Sequence, residues 1–335
     1  MKHILISDPT LRDGNHAVRH QLTKEDIALY CKAANAARVP IVEVGHGNGL
    51  GASSLQVGLS LESDHDLLSY ARNNLTNSKL SIHVIPGFAT IKRDLEKALA
   101  IGVDLVRVAS HCTEADITQR HISFAREKGK EAYGVLMMTH MAEPNILVEE
   151  ALKMQYYGAE AIIIMDSAGA FLPKDVTQRI KALTETLSIP VGFHAHNNLG
   201  MAIGNSIAAI EAGASILDGT ARGFGAGAGN AQIEVLIAVL QKLGYTTDVD
   251  LYKILEAADI AERSFVKTVP YISSVSVVSG LAGVFSGFSK QVERIAIQFD
   301  VDPKDLFFEL GKRKVVAGQE DIIIEVANEL KNLKK

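Results

Sequence analysis

His194 and His196 stand with a single residue between them, and residues two apart on a β-strand point to the same face. Both imidazoles can then reach one ion. Neutral imidazoles beside a carboxylate suit a divalent transition metal such as Mn, Co, Fe or Zn. Asp13 is the best carboxylate candidate, in the run Asp8-Pro9-Thr10-Leu11-Arg12-Asp13-Gly14-Asn15-His16. The competing reading is two hydrogen-bonded histidines in a polar loop. A structural zinc site is disfavoured, because Cys31 and Cys112 are the only cysteines and no thiolates cluster. Arg12 is expected to diverge from Asp13, one turning to a metal and the other to a substrate, since an Arg fork holds a carboxylate or enolate oxygen well. The alternative is a salt bridge from Arg12 to Glu43, and both hold if Glu43 orients Arg12. His16, three residues beyond Asp13, is near enough to serve as an acid/base.

Elements that alternate along the chain must position these groups. Short β-rich runs are expected at 4–7, 41–44, 80–85, 105–109, 132–138, 161–165, 190–194 and 215–217. Helical periodicity lies between them at 24–37, 91–101, 117–128, 148–157, 175–187 and 203–212. Gly102, Gly158 and Gly213 each precede a strand and supply the left-handed conformation that stops a helix. Eight strands alternating with helices predict an α/β fold, a (β/α)₈ TIM barrel, over a doubly wound open sheet. Closure puts strand 1 beside strand 8 and near strand 7, which is why Asp13 is paired with the two histidines. Residues 1–244 are read as the catalytic barrel and 245–335 as a C-terminal helical extension, with helices at 251–265, 290–299, 303–312 and 319–333. In a barrel the chemistry sits at the C-terminal strand ends. His46, His83, His111 and His140 also lie near such ends, and each is read as a polar-layer residue rather than a ligand. The glycine run 223–229 follows strand 8 and opens a helix. It is read as a loop that lets backbone approach the site, ahead of a weak dinucleotide-binding alternative.

Composition bounds the rest. The chain has 335 residues, 47% of them apolar and 22% charged, which excludes intrinsic disorder. A net charge of −5 gives no reason to expect nucleic acid or an anionic membrane as partner. Residues 268–289 carry no charge, yet their Ser, Gly and Pro content predicts a buried, partly irregular segment lining a site instead of a membrane span. The two isolated cysteines read as buried thiols in a cytoplasmic protein, and the N-terminal apolar run is too short for a signal peptide.

The motif D-x-T-L-R-D-G after strand 1, Glu43 on strand 2 and H-x-H-N after strand 7 together resemble the metal-dependent lyases related to hydroxymethylglutaryl-CoA lyase. Within them the chain looks most like the 4-hydroxy-2-oxovalerate aldolase family, through VEVGHGNGLGASS at 42–54, DSAGA at 166–170, FHAHNNLGMAIGNS at 193–206 and GKRKVVAGQEDIIIEVA at 311–327. This resemblance implies retro-aldol cleavage of 4-hydroxy-2-oxovalerate to pyruvate and acetaldehyde, without a lysine Schiff base. It implies a divalent metal, usually Mn²⁺ with Co²⁺ or Mg²⁺ as alternatives, on Asp13, His194 and His196. It makes His16 the base and Arg12 the residue that stabilises the transition state, with Arg12, Ser167 and His194 contacting substrate. It also implies an oligomer and an acylating acetaldehyde dehydrogenase partner on a separate chain. A Claisen-type acyl-CoA lyase or synthase, or a non-catalytic partner subunit, are the alternatives. Two residues depart from the family pattern. Phe285 stands where the family carries a substrate-contacting tyrosine, and Asn48 stands where it usually carries Asp.

Overall fold

The computed structural model describes residues 2–333 and closes eight parallel strands into a barrel in chain order. The strands are β1 (Leu5–Leu11), β2 (Ile41–Val44), β3 (Lys79–Val84), β4 (Leu105–His111), β5 (Glu131–Met137), β6 (Ala161–Asp166), β7 (Val191–Ala195) and β8 (Ile216–Asp218). β1 pairs with β8, Leu5 opposite Ile216 and Ser7 opposite Asp218, a contact that an open sheet would lack. Strands covered on both faces need apolar residues on both. In β6, Ile162 and Ile164 join the outer core beneath the helices, while Ile163 and Met165 face the barrel interior.

The barrel helices are α1 (Lys24–Ala36), α2 (Asp64–Asn74), α3 (Glu96–Ile101), α4 (Gln119–Glu127), α5 (Pro144–Tyr156), α6 (Pro173–Thr186), α7 (Ala202–Glu211) and α8 (Ile233–Lys242). Thr23 and Asp26 form a reciprocal capping box at the start of α1. Gly102, Gly158 and Gly213 have φ of 107°, 105° and 115°, the left-handed stop expected of them. The helix expected over 91–101 begins instead as a π-turn, Ile91–Leu95, that leads into α3. The sequence gives no clear sign of α2, because its buried residues are only Leu67, Leu68 and Ala71 in a polar stretch.

After α8 the chain is helical: α9 (Leu251–Ser264), α10 (Ser274–Ala282), α11 (Ser289–Phe299), α12 (Pro303–Lys312) and α13 (Asp321–Leu333). α9 packs Ile254, Ala257, Ala258 and Ala261 into the barrel's own core. Arg222 clamps it there, pairing with Glu234 on α8 and with Asp259 and Glu262 on α9. A second core, with Val292, Ile295, Leu306, Phe307, Leu310 and Ile323, holds the last three helices together. The charge-free stretch 268–289 corrects an expectation. It contains α10 and is not buried throughout, since Tyr271 is 68% and Leu281 64% exposed. Among the described residues no helix is long and apolar enough to cross a membrane.

Candidate active site

The barrel interior is built in layers. An apolar floor that includes Ile41, Leu105, Tyr133, Ile163 and Ile216 lies below a layer of buried charge. Arg107, fully enclosed on β4, donates from Nη2 to Asp218 Oδ2 at 2.7 Å and lies 3.3 Å from Glu43 Oε2. Glu43 also accepts from Arg12 Nε at 2.6 Å, and Asp218 accepts from His194 Nδ1 at 2.8 Å. The chain Arg12–Glu43–Arg107–Asp218 therefore alternates cation and anion, which is how charge survives burial, and the His194 ring is hydrogen-bonded at its end. Burial opposes ionisation of Glu43 and Asp218, yet Arg107 beside both holds their carboxyls below the usual range.

Above this layer the structure brings three residues together. Asp13 opens a 3₁₀ turn directly after β1, His194 lies on β7 and His196 just beyond it. Their ligand atoms lie within 4.8 Å of one another, and all three side chains are buried. With His194 donating its Nδ1–H to Asp218, the lone pair of the ring is on Nε2, and that buried nitrogen has no partner among the described residues. Nδ1 of His196 is likewise buried without a partner among the described residues. Asp13 accepts from Arg12 Nη1 at 2.8 Å and from Asn230 Nδ2 at 2.6 Å, which leaves lone pairs on both oxygens. Burial opposes its ionisation, but Arg12 and then His196 hold the carboxyl far below its ordinary range. Two imidazole lone pairs and a carboxylate, screened from water, fit a divalent cation.

Arg12 and Asp13 do not diverge as expected. They pair side by side, and the guanidinium is fixed by Glu43 and the Gly47 carbonyl, which Nη1 reaches at 3.3 Å. Among the described residues Nη2 of Arg12 is left buried and without a partner. His16 closes the same turn, half-buried, with its ring against Gly47, where a Cβ would fall 2.6 Å from His16 Cδ2. Burial shifts the His16 imidazole downward. Behind it His20 stacks on His46 with ring centroids 3.6 Å apart, and Gly47 N–H donates to His20 Nδ1 at 3.3 Å. Ser167 Oγ accepts from Met138 N–H at 2.9 Å, which leaves its own proton to give.

Several of these groups border a cavity of about 210 Å³. Arg12, Asp13, His16, Ser167 and His196 line it, as do Asn48 and Phe285, and Val316, Ala317 and Gly318 of the extension contribute to the wall. The glycine run approaches as closely as expected: a Cβ on Gly225 would lie 2.6 Å from Asp13 Oδ2. His46, His111 and His140 bond to the Gly58 carbonyl, Thr113 and the Gly283 carbonyl, outside the ligand group. Cys31 and Cys112 are free and buried. Sequence reasoning missed Arg107, Asp218 and Asn230. Asp218 ends β8, so the strand-end rule that found the histidines would have found it. Arg107 was visible as the one charge in the apolar run Leu105–Ala109.

Residues 3–261 match the HMGL-like family model, and residues 270–332 match a DmpG-like communication domain. The chain is 64% identical to a 4-hydroxy-2-oxovalerate aldolase of Pectobacterium atrosepticum, over 98% of this chain and 96% of the relative. It is 65% identical to one from Spirochaeta aurantia, with the same coverage. Among solved structures it is similar to the carboxyl transferase domain of Rhizobium etli pyruvate carboxylase, with a TM-score of 0.82 at 18% identity over 98% of this chain and 61% of that one. That last likeness concerns the fold alone.

Proposed function

The chain belongs to the HMGL-like family and stands among the 4-hydroxy-2-oxovalerate aldolases, and from that premise we propose how its site works. The enzyme is a carbon–carbon lyase, and its reaction is the divalent-metal-dependent retro-aldol cleavage of 4-hydroxy-2-oxovalerate to pyruvate and acetaldehyde. Asp13, His194 and His196 hold the metal, best matched by Mn²⁺, with Co²⁺ or Mg²⁺ as substitutes. Bound there, the cation supplies Lewis-acid polarisation of the 2-oxo acid.

The protein's own groups do the rest. Arg12, locked by Glu43 and Asp13, offers its free Nη2 to the oxygen on which negative charge develops. Ser167 donates to the substrate carboxylate from Oγ, and His194 borders the same half of the substrate. His16 takes the proton of the C4 hydroxyl as the C3–C4 bond breaks, and its lowered basicity keeps it neutral and able to accept. Phe285 and the loop Val316–Gly318 limit water at the aldehyde end. The observation that carries this reading is the buried trio Asp13, His194 and His196, whose ligand atoms lie within 4.8 Å of one another, with His194 Nε2 and Arg12 Nη2 buried and partnerless among the described residues.

Residues 1–244 serve as the catalytic barrel and 245–335 as the extension, with α9 as its anchor. The communication-domain match supports docking of an acylating acetaldehyde dehydrogenase on a separate chain. Exposed Tyr271, Leu281 and Ile297 support an oligomeric assembly in the cytoplasm, as does the absence of paired cysteines for the compartment. Pyruvate release from 4-hydroxy-2-oxovalerate tests the reading. Chelation should abolish it and Mn²⁺ or Co²⁺ restore it, whereas full turnover in metal-stripped protein would overturn it.

A further inference from the structure

Arg222 stands in the 3₁₀ turn after β8 with φ of 54°, in the left-handed region that residues other than glycine rarely adopt. Such a conformation persists where the surroundings over-determine it. The backbone N–H of Arg222 donates to Glu234 Oε2 at 3.3 Å. Its guanidinium meets three carboxylates: Glu234 on α8 at 3.0 Å, Glu262 on α9 at 2.6 Å, and Asp259 on α9. Glu234 is 4% exposed, so that pair is sealed, whereas Asp259 and Glu262 are half exposed.

This turn is the root of the glycine loop. Gly223, the next residue, accepts from Asn230 N–H at 2.9 Å, which closes residues 223–230 on themselves. The loop makes its other close contacts with the turn that carries Asp13. Asn230 Nδ2 donates to Asp13 Oδ2 at 2.6 Å, and a Cβ on Gly225 would lie 2.6 Å from the same oxygen. Phe224, 1% exposed, lies against Gly14, where a Cβ would fall 2.3 Å from its Cδ1. The same ring meets Phe265, which caps α9, with centroids 5.6 Å apart. α9 therefore reaches Asp13 and its neighbour by two routes, an ionic one through Arg222 and an apolar one through Phe224. Holding α9 down does not by itself call for either, because Ile254, Ala257, Ala258 and Ala261 already bury its face in the barrel core.

We propose that Arg222 is a positioning residue for the metal site: by tying the root of the glycine loop to α8 and α9 it holds Gly225 and Asn230 against Asp13, and so sets the affinity for the divalent cation. The inference rests on the reading of Asp13, His194 and His196 as metal ligands. Among the described residues Arg222 pairs only with carboxylates of α8 and α9, so its effect on Asp13 passes through the loop. The apolar route through Phe224 keeps the loop in place when the ionic one is weakened.

The test is titration of the metal-free full chain with Mn²⁺, with free ion read by electron paramagnetic resonance and the thermal midpoint of each variant measured alongside. Arg222→Met keeps the aliphatic stem and removes the charge. Its dissociation constant should rise about 10-fold, the low end of the loss for groups that orient a metal ligand. Arg222→Lys, which keeps the charge, should recover part of that affinity. Asp259→Asn combined with Glu262→Gln cuts only the arms to α9 and should raise the constant by a smaller factor. Loss of the Arg222 charge leaves Glu234 buried and unpaired, so if Arg222→Met does not fold, the combined α9 variant decides. Wild-type affinity in the folded variants, whatever their thermal midpoints, would overturn the proposal and leave Arg222 a clamp for stability alone. Arg222→Lys binding no better than Arg222→Met would overturn it too. Wild-type protein that binds no Mn²⁺ would instead overturn the metal reading.

Discussion

His16 and Asp13 share one 3₁₀ turn, and the proposed mechanism gives them different tasks, so their replacement should separate cleanly. His16→Ala should bind metal as the wild type does and lose roughly 10²–10⁴-fold in pyruvate release, the contribution of a general base. Metal titration beside steady-state kinetics checks this, and a parallel loss of metal would make His16 a ligand. Phe285 invites the opposite change. It borders the cavity, and Phe285→Tyr adds only a hydroxyl to a ring already in place. One new hydrogen bond is worth about 0.5–1.5 kcal/mol, so selectivity between the C4 enantiomers should rise roughly 2- to 13-fold. Kinetics on each enantiomer measure it, and unchanged selectivity would show that another group controls C4. At this scale Asp13, His194 and His196 were legible because their types and spacing are unusual. The Arg12–Asp13 pairing was not, because the buried Glu43 and Arg107 explain why the guanidinium stays beside the Asp13 carboxylate.

Elements were legible where covalent pattern and packing agree. The strand at Ile41–Val44 and the helix at Pro303–Lys312 lie where periodicity puts them, and the left-handed glycines mark the ends of their helices. Segments whose order comes from tertiary contact were not. α10 forms in a Ser- and Gly-rich stretch, helped by the Ser273 cap and by His140, whose ring bonds the Gly283 carbonyl at 2.8 Å. The glycine loop after β8 acts through what it leaves out. In Gly225→Ala the new Cβ would sit 2.4 Å from Asn230 Nδ2 and 2.6 Å from Asp13 Oδ2. Disturbing a group that orients a ligand costs about 10- to 100-fold in metal affinity, and Mn²⁺ titration of this variant should show a loss in that range. Gly204→Ala, with nothing within 4 Å of the added carbon, should bind as the wild type does.

The whole molecule stores several histidines in neutral form, and that sets its response to acid. Burial pushes His46 and His140 down from 6.5 to about 4 and His20 to about 2. Between about pH 6.5 and 4 the unfolded chain therefore binds protons that the folded chain refuses, and stability falls as pH falls. Asp8 and Asp166, raised to about 6 by burial, oppose this over part of the window, but they are fewer. Thermal melts should be level above pH 7 and drop in midpoint from about pH 6.5 downward, and a midpoint that rises on acidification would refute this balance. The barrel with a helical extension was legible in the alternation of elements along the chain. The anchoring of α9 in the barrel core and the extension's share of the cavity wall were not, since both depend on long-range packing. The account's central claim is that one buried trio makes this barrel a metal-dependent aldolase, and the most direct measurement is Mn²⁺ binding to wild type and His196→Ala, read with pyruvate release on the same samples. Wild type should bind one ion per chain and turn over, while folded His196→Ala should lose both together; a folded His196→Ala that cleaves 4-hydroxy-2-oxovalerate at the wild-type rate with no metal bound would contradict it.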